Sequence, residues 1–171
     1  DSLAESFYRS FGLPIKIVRP FNIYGPRQSA RAIIPSICIQ ILNGINQIKL
    51  GNTNTTRDLT FVKDTAMGFI KISREETLNG ESTNIGMNNE ISIKNLVEKI
   101  SSILNKKINI ITDQERVRPD KSEVTRLVCD NSKIKKFTDW DPEYNLDKGL
   151  RETIDWIEQN KTLFKHEIYN Q

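Results

Sequence analysis

Three polar side chains in this sequence are suited to bind a phosphorylated ligand: Asn22, Arg57 and Arg118. Asn22 lies in residues 19–26, which read Arg-Pro-Phe-Asn-Ile-Tyr-Gly-Pro. Its amide can both donate and accept hydrogen bonds, which suits a phosphate or a sugar hydroxyl. The two arginines lie on separate predicted loops and could converge on one diphosphate, because a guanidinium fork matches the phosphate oxygens.

Each of these residues also has a purely structural interpretation. Asn22 could be a turn residue that bonds its own backbone. Arg57 could pair locally with Asp58 or Asp64. Arg118 could be a solvated charge among the acidic residues of its own loop, since exposed ion pairs are common and weak. Those acidic residues are Glu115, Asp120 and Glu123.

The elements that must position these residues alternate short strands with helices, a pattern typical of an α/β fold. A β-branched run predicts a strand at 15–18, and the Asn22 loop follows it directly. Open α/β sheets bind ligands at the carboxyl ends of their strands, so Asn22 falls at the expected place. Further strands are predicted at 47–50, 58–62, 82–86, 109–112 and 126–129.

Apolar periodicity and capping residues predict the helices. They span 1–11, 32–42, 64–73, 92–104, 132–137 and 146–160. Asp64 is the expected cap of the third helix, and Ser92 of the fourth. The buried face of the third helix is expected to hold Ala66, Phe69 and Ile70.

Composition and charge argue against several classes of function. The 171 residues carry a net charge of only +3, which is too small to indicate a nucleic-acid-binding protein. The single histidine, His166, argues against a zinc site and against a Ser-His-Asp hydrolase. No apolar stretch approaches ~20 residues, and no signal-peptide pattern opens the chain. Cys38 and Cys129 lack a paired spacing and indicate a reducing, cytoplasmic compartment.

Four segments, taken together and in order, resemble the nucleotide-sugar branch of the extended short-chain dehydrogenase/reductase family. The first three are residues 19–28, residues 32–35 at the start of a helix, and Gly51 followed by residues 57–64. The fourth group is Arg118, residues 130–133, residues 140–142, Gly149 with Leu150, and Trp156. The resemblance covers nearly all of residues 1–164 and implies the C-terminal part of a Rossmann-like α/β fold.

The resemblance implies a role for each matched position. Pro20 packs beside the nicotinamide of NAD in similar enzymes, and Phe21 belongs to the same cofactor site. Asn22 and the two arginines contact the substrate diphosphate, two residues at the start of the second helix line the nucleotide site, and two residues of the next strand flank the base. The implied substrate-binding residues are Asn22, Ala32, Ile33, Ile48, Leu50, Arg57 and Arg118.

The loop at Arg118 points to a subfamily. It reads Arg-Pro-Asp-Lys-Ser-Glu-Val, whereas a common family version reads Arg-x-Gly-Asp, so Arg118 matches and the glycine does not. The version in this chain looks like that of 4,6-dehydratases of the legionaminic-acid type. Those enzymes act on a nucleotide-linked N-acetylglucosamine, which is therefore the expected substrate.

No catalytic residue is predicted in this chain. It contains no Gly-rich dinucleotide fingerprint, and the family's Tyr-x-x-x-Lys pair is expected a few residues before Asp1. Tyr8 and Tyr24 do not begin that motif, because no lysine stands four residues after either. The chain is thus expected to be the substrate-binding half of an NAD-dependent 4,6-dehydratase, inactive alone. A 4-epimerase and a non-catalytic nucleotide-sugar-binding module are the alternatives.

The resemblance also implies how the chain is organised. Residues 1–30 would end the NAD-binding Rossmann portion. Residues 31–171 would mainly form the substrate domain, with short segments returning to the Rossmann sheet. The first helix would either pair with its twin in a homodimer or pack on the sheet through Leu3, Phe7 and Phe11. The other expected partner is an N-terminal half of the same protein; nucleic acid and membrane are not expected.

Overall fold

The computed structural model describes residues 1–117, 119 and 122–164. The strands in this part of the chain are β1 (Ile17–Pro20), β2 (Ile23–Tyr24), β3 (Gln47–Leu50), β4 (Thr56–Asp58), β5 (Thr60–Phe61), β6 (Ser82–Ile85), β7 (Glu90–Ser92), β8 (Asn109–Thr112) and β9 (Arg126–Leu127). The helices are α1 (Ser2–Phe11), α2 (Ile33–Leu42), α3 (Val62–Arg74), α4 (Ile93–Ile103), α5 (Ser132–Phe137) and α6 (Leu146–Gln159). The α/β class is confirmed.

The chain divides into two compact units, each built from three separate stretches of sequence. Unit 1 comprises residues 1–23, 58–90 and 128–145. Unit 2 comprises residues 24–57, 91–127 and the stretch from 146 onward. None of the helices within the described residues is long and apolar enough to cross a membrane.

Unit 1 is organised around the parallel pair β1–β6, in register from Ile17 opposite Ser82 to Pro20 opposite Ile85. Parallel strands require a crossover connection, and α3 lies in the chain between these two. An apolar cluster forms the core of this unit. Its tryptophan, Trp140, donates its indole N–H to the main-chain carbonyl of Asp64 at 2.9 Å, which satisfies the polar atom of a buried ring. The cluster contains Ile72, Leu78, Ile85, Ile134 and Trp140, with Val18 packed against it.

Helix α3 buries a different face from the one that its apolar residues predict. Ala66, Phe69 and Ile70 are exposed, so the prediction of that buried face is wrong. The helix instead turns Gly68 to the core, where a Cβ on this glycine would lie 2.7 Å from the Ile85 side chain. The close approach of helix and strand needs the smallest residue at the contact, which apolar periodicity alone does not reveal.

Asp64 does not cap α3 either, since the helix begins at Val62 and its N-cap is Phe61. The Asp64 carboxylate accepts hydrogen bonds from the backbone N–H groups of Glu143 and Tyr144, at 2.9 and 3.1 Å. The residue is therefore an acceptor for a distant loop. Sequence spacing cannot distinguish that role from capping.

Unit 2 combines parallel strand pairs with three helices that pack on one another. β3 pairs with β8, and β4 pairs with β9 through Thr56 opposite Arg126. Helices α2, α4 and α6 bury their apolar faces together. The Ser92 cap of α4 is confirmed, because its hydroxyl accepts a hydrogen bond from Asn95 N–H at 3.1 Å.

The predicted strand at 58–62 is two short strands, and the first begins earlier than expected. β4 covers Thr56–Asp58 and β5 covers Thr60–Phe61. Arg57 consequently lies within a strand, in register with Leu127, and the prediction that it lies on a loop is wrong. The partner strand, β9, is distant in sequence. The polar run before residue 58 therefore has the pattern of a turn when the sequence is considered alone.

Candidate functional site

Asn22 stands just beyond the carboxyl end of β1, at the sheet edge where α/β folds bind ligands. Its Nδ2 donates a hydrogen bond to the carbonyl oxygen of Asp58 at 3.2 Å. Its own carbonyl accepts from the N–H of Thr60 at 3.3 Å. The Asn22 side chain therefore bonds a main-chain group 36 residues away, rather than closing a turn on its own backbone.

The carboxylate of Asp58 is the centre of a buried polar network in unit 1, and it is a residue that sequence analysis missed. Asp58 is 0% exposed. Its Oδ1 accepts from Met87 N–H at 2.9 Å, and its Oδ2 from Cys129 N–H at 3.0 Å. A buried carboxylate is tolerable only with such donors. The available signal was the Arg-Asp pair at 57–58, where an acidic residue directly precedes the mostly apolar residues 59–62.

Two further contacts surround the Asp58 carboxylate. A Cβ on Gly86 would lie 2.2 Å from the Cys129 Cβ and 3.3 Å from Asp58 Oδ2, so the two segments approach closely there. The carbonyl of Gly86 accepts a hydrogen bond from the Asn131 side chain at 2.8 Å. The segment that follows β6 is thus fixed around the carboxylate at the same sheet edge as Asn22.

Two hydrogen bonds and an ion pair within unit 2 hold Arg57 and use much of the hydrogen-bonding capacity of its guanidinium. Nη1 donates to the carbonyls of Thr56 and Val124, each at 2.7 Å. Nη2 forms an ion pair with Glu123 at 3.3 Å, and the two side chains are 16% and 13% exposed. The local pairs considered from sequence, with Asp58 or Asp64, are not the ion pair that forms.

Ile48 and Leu50 occupy the inward-facing positions of β3. They are 0% and 2% exposed, whereas the alternate residues Gln47 and Lys49 point outward. Their predicted place beside a nucleotide base stays a prediction. Two side chains bond the main chain of Lys49: its carbonyl accepts from Arg116 Nη1 at 3.0 Å, and its N–H donates to Gln40 Oε1 at 2.9 Å.

Ala32 and Ile33 are half-buried at the start of α2. Ala32 is the N-cap, and its side chain makes no capping hydrogen bond. A helix N-terminus carries partial positive charge, which suits the predicted neighbourhood of a nucleotide. Their role in binding stays a prediction.

Arg118 lies outside the described residues, so the structure does not place it. Arg116, two positions earlier, pairs with Asp113 at 3.3 Å between Nε and Oδ2. A Cβ on Gly51 would lie 2.3 Å from the Arg116 carbonyl oxygen. This close approach requires glycine at 51, which gives that matched position a packing reason.

Pro20 is the last residue of β1, and Phe21 follows it at the same edge of unit 1. Pro20 is exposed, Phe21 is half-buried, and the Phe21 N–H bonds the Ile85 carbonyl at 2.8 Å. Their predicted place in the cofactor site stays a prediction. In the described residues no group of three or more potential metal ligands comes together.

Cys38 and Cys129 are both buried free thiols. Burial raises the pKa of the Cys38 thiol to about 12. Burial and then the negative charges of Asp58 and Asp130 raise the pKa of the Cys129 thiol to about 12. Both thiols therefore stay protonated at neutral pH, where thiolate chemistry would need a lowered pKa.

Comparison with known proteins places these features in a family context. The family model for GDP-mannose 4,6 dehydratase matches residues 1–153. UDP-N-acetyl-alpha-D-glucosaminuronate decarboxylase from Bacillus cytotoxicus is 32% identical over 89% of this chain and 49% of its own length. UDP-glucuronate 4-epimerase from Thermodesulfobacterium geofontis is 31% identical over 96% of this chain and 50% of its own.

Among solved structures, dTDP-glucose 4,6-dehydratase from Bacillus anthracis in complex with NAD superposes with a TM-score of 0.81 at 31% identity. The match covers 95% of this chain and 50% of that one. The chain spans about half the length of the curated relatives it matches.

Proposed function

The chain belongs to the NAD-dependent nucleotide-sugar epimerase/dehydratase family of extended short-chain dehydrogenases/reductases, and from this premise we propose that it is the substrate-binding half of a nucleotide-sugar 4,6-dehydratase. The proposed substrate is a nucleotide-linked N-acetylglucosamine. The relative from B. cytotoxicus is named for a UDP-linked N-acetylated sugar acid, which supports an N-acetylated hexose.

The observation that carries the proposal is the orientation of the Asn22 amide. Nδ2 uses one N–H on the Asp58 carbonyl at 3.2 Å. An amide has a second N–H and an acceptor oxygen, which remain for a ligand at the carboxyl end of β1. A diphosphate oxygen would accept that second N–H, in line with the role that the family resemblance implies.

Arg57 is proposed as a second diphosphate contact and Arg118 as a third. Support for Arg57 is its rigid setting, since the carbonyls of Thr56 and Val124 fix one side of its guanidinium. A fixed guanidinium loses less entropy on binding than a mobile side chain. Glu123 occupies its Nη2, so a phosphate would have to share or displace that carboxylate.

NAD is the cofactor of the family, and the dehydratase from B. anthracis was solved in complex with it. When bound, NAD accepts and returns the hydride of the sugar. We propose that this chain contributes only the apolar edge formed by Pro20 and Phe21, which keeps water from one face of the ring. The chain has no Gly-rich dinucleotide fingerprint, and its Tyr-x-x-x-Lys spacing, Tyr144 to Lys148, runs from the loop before α6 into that helix rather than along one helix. We therefore propose that the 171 residues have no turnover by themselves.

We propose a domain organisation that follows the two units. Unit 1 contains the parallel pair β1–β6 and is proposed to be the end of the Rossmann portion, with residues 58–90 and 128–145 as the returning segments. Unit 2 is proposed to be the substrate domain. We further propose that the protein forms a homodimer through α1 and that its other partner is an N-terminal half of the same protein. The proposed compartment is the reducing cytoplasm.

A 4-epimerase is the second candidate, because the relative from T. geofontis is named as one. The two reactions share the diphosphate contacts and the hydride transfer at C4. They differ in whether water is then eliminated across C5–C6. A non-catalytic binding module would keep the diphosphate contacts but would catalyse neither reaction.

Calorimetric titration of this chain with UDP-, GDP- and dTDP-linked N-acetylglucosamine tests the binding claim. We expect one of them to bind in a one-to-one ratio, and Asn22→Ala to weaken that binding. Failure of all three would refute the proposed substrate class.

Proton NMR of the longest polypeptide that the gene encodes, with NAD, then separates the reactions. A new C6 methyl signal identifies the dehydratase. A galacto-configured product identifies the epimerase. Binding without product supports the module.

A further inference from the structure

Asp58 connects three parts of unit 1 that are distant in sequence. Its carboxylate oxygens accept the N–H groups of Met87 and Cys129, at 2.9 and 3.0 Å. Its main-chain oxygen accepts Nδ2 of Asn22 at 3.2 Å. The residue is fully buried, so its carboxylate and its main chain are held together by these hydrogen bonds and not by water.

The Asn22 amide can take only one of its two orientations against this carbonyl. With Nδ2 towards Asp58, a donor meets an acceptor. With the amide turned over, Oδ1 would face the carbonyl oxygen, and two acceptors would repel. The Thr60 N–H holds the Asn22 carbonyl at 3.3 Å, so both sides of Asn22 are tied to the strand region that Asp58 anchors.

We infer that Asp58 is a positioning residue for Asn22. Its buried carboxylate fixes the carbonyl that selects the orientation of the Asn22 amide, and through it the N–H offered to a ligand. Asp58 itself has no exposed surface and so acts on a ligand only through Asn22. The consequence for ligand affinity rests on the proposed nucleotide-sugar site, whereas the orientation of the amide does not.

The chain offers a matched control in Asp64. That residue is 4% exposed, and its two carboxylate oxygens also accept two main-chain N–H groups. Its partners are Glu143 and Tyr144, at 2.9 and 3.1 Å. Asp58→Asn and Asp64→Asn therefore make the same chemical change in the same kind of buried setting, and only Asp58 bonds Asn22.

The first measurement needs no ligand. The side-chain NH₂ signals of Asn22 are identified in a nitrogen–proton NMR spectrum by their loss in Asn22→Ala. In the wild-type chain we expect one of the two protons to exchange more slowly than the other, because it is hydrogen-bonded. Two protons with equal exchange would overturn the inference even if Asp58→Asn does not fold.

Asp58→Asn replaces one acceptor oxygen with an NH₂ group that must face a main-chain N–H donor. We expect this variant to shift the Asn22 NH₂ signals and to equalise their exchange. Asp64→Asn should leave them in place. Unchanged Asn22 signals in a folded Asp58→Asn protein would refute the positioning role.

The second measurement is a double-mutant cycle on affinity for UDP-N-acetylglucosamine. We expect Asn22→Ala and Asp58→Asn each to weaken binding about tenfold, the scale of one hydrogen bond to a charged group. The double variant should bind as Asn22→Ala does, because both changes remove one interaction. A merely structural role would give multiplying losses, as expected for Asp64→Asn combined with Asn22→Ala.

The two measurements separate the inference from the proposed function. If the wild-type chain binds no nucleotide sugar but Asp58→Asn still disturbs the Asn22 amide, the proposed function fails and the positioning role stands. If binding occurs and the two losses multiply, the proposed function stands and the inference fails.

Discussion

The guanidinium of Arg57 and the carboxylate of Glu123 form an ion pair, with Nη2 3.3 Å from Oε1 and both side chains largely buried. A phosphate approaching Arg57 therefore meets a cation that is already partly neutralised. Glu123 keeps the arginine in place without ligand and weakens its attraction for one. Replacing the Glu123 carboxylate with an amide of the same shape removes its charge, and the effects on ligand affinity and on stability can then be measured separately.

Glu123→Gln should strengthen the binding of UDP by about threefold and lower the free energy of unfolding by about 1 kcal/mol, the scale of a partly exposed ion pair. The gain arises because the amide no longer neutralises Arg57. Calorimetry and urea unfolding measure the two effects. Glu115→Gln, an exposed change on the same stretch of chain, should alter neither. Unchanged or weaker UDP binding in Glu123→Gln would show that Arg57 does not face the diphosphate.

Gly86 and Gly12 should respond to alanine for different physical reasons. At Gly86 a Cβ would lie 2.2 Å from the Cys129 Cβ, so the Asp58 network must open. At Gly12 no atom lies within 4 Å of an added Cβ, so the substitution is opposed only by the positive φ of +66°. We expect Gly12→Ala to cost about 1–2 kcal/mol and Gly86→Ala about 3 kcal/mol or more. Urea unfolding compares them, and equal costs would contradict the close packing.

The sequence was sufficient to predict the helices whose periodicity and caps agree. α4 has a serine cap and an apolar face, and both are confirmed. α6 was placed within one residue of its observed end. In these cases local propensity and burial favour the same structure, so no distant contact was needed to decide it.

The failures lie where a contact distant in sequence decides the outcome. The face of α3 depends on Gly68 meeting Ile85, and the strand at Arg57 depends on pairing with β9. Asn22 was predicted from its motif, but the network of Asp58 around it was not. A carboxylate that accepts two distant N–H groups leaves no periodic signal in the sequence.

The thiols of Cys38 and Cys129 should make stability depend on alkaline pH. Their pKa is raised from an ordinary 9.0 to about 12 in the folded state, first of all by burial. Below pH 9 both states hold the proton, and this stability is fully present. As the pH rises towards 12 only the unfolded thiol ionises, so stability falls by up to about 1.4 kcal/mol per pH unit for each thiol.

Urea unfolding of wild type and of Cys38→Ala at several pH values from 8 to about 10.5 measures this slope. Every other titratable group is common to both proteins, so the difference between the two slopes isolates Cys38. We expect the decline with pH to be less steep in the variant, whatever its stability at pH 8. Parallel declines would mean that the Cys38 thiol ionises as readily when folded as when unfolded.

Helix α1 should mediate self-association if the proposed homodimer forms. It has no buried residue in the single chain, and Leu3 and Phe11 are 73% and 69% exposed on its apolar face. An apolar face left in water favours burial against a partner, at roughly 25 cal/mol per Å². Leu3→Glu with Phe11→Glu should therefore convert a dimer to a monomer in sedimentation velocity, while the free energy of unfolding of the monomer stays within about 0.5 kcal/mol.

Ile111→Glu supplies the control for the α1 variant, because Ile111 is also exposed, at 41%, but lies on β8 in unit 2. It should leave the sedimentation coefficient of the wild-type chain unchanged. If both variants abolish association, exposed apolar surface in general causes it and α1 has no special part. If the wild-type chain is monomeric at every concentration tested and the α1 variant sediments like it, the homodimer proposal fails for this chain.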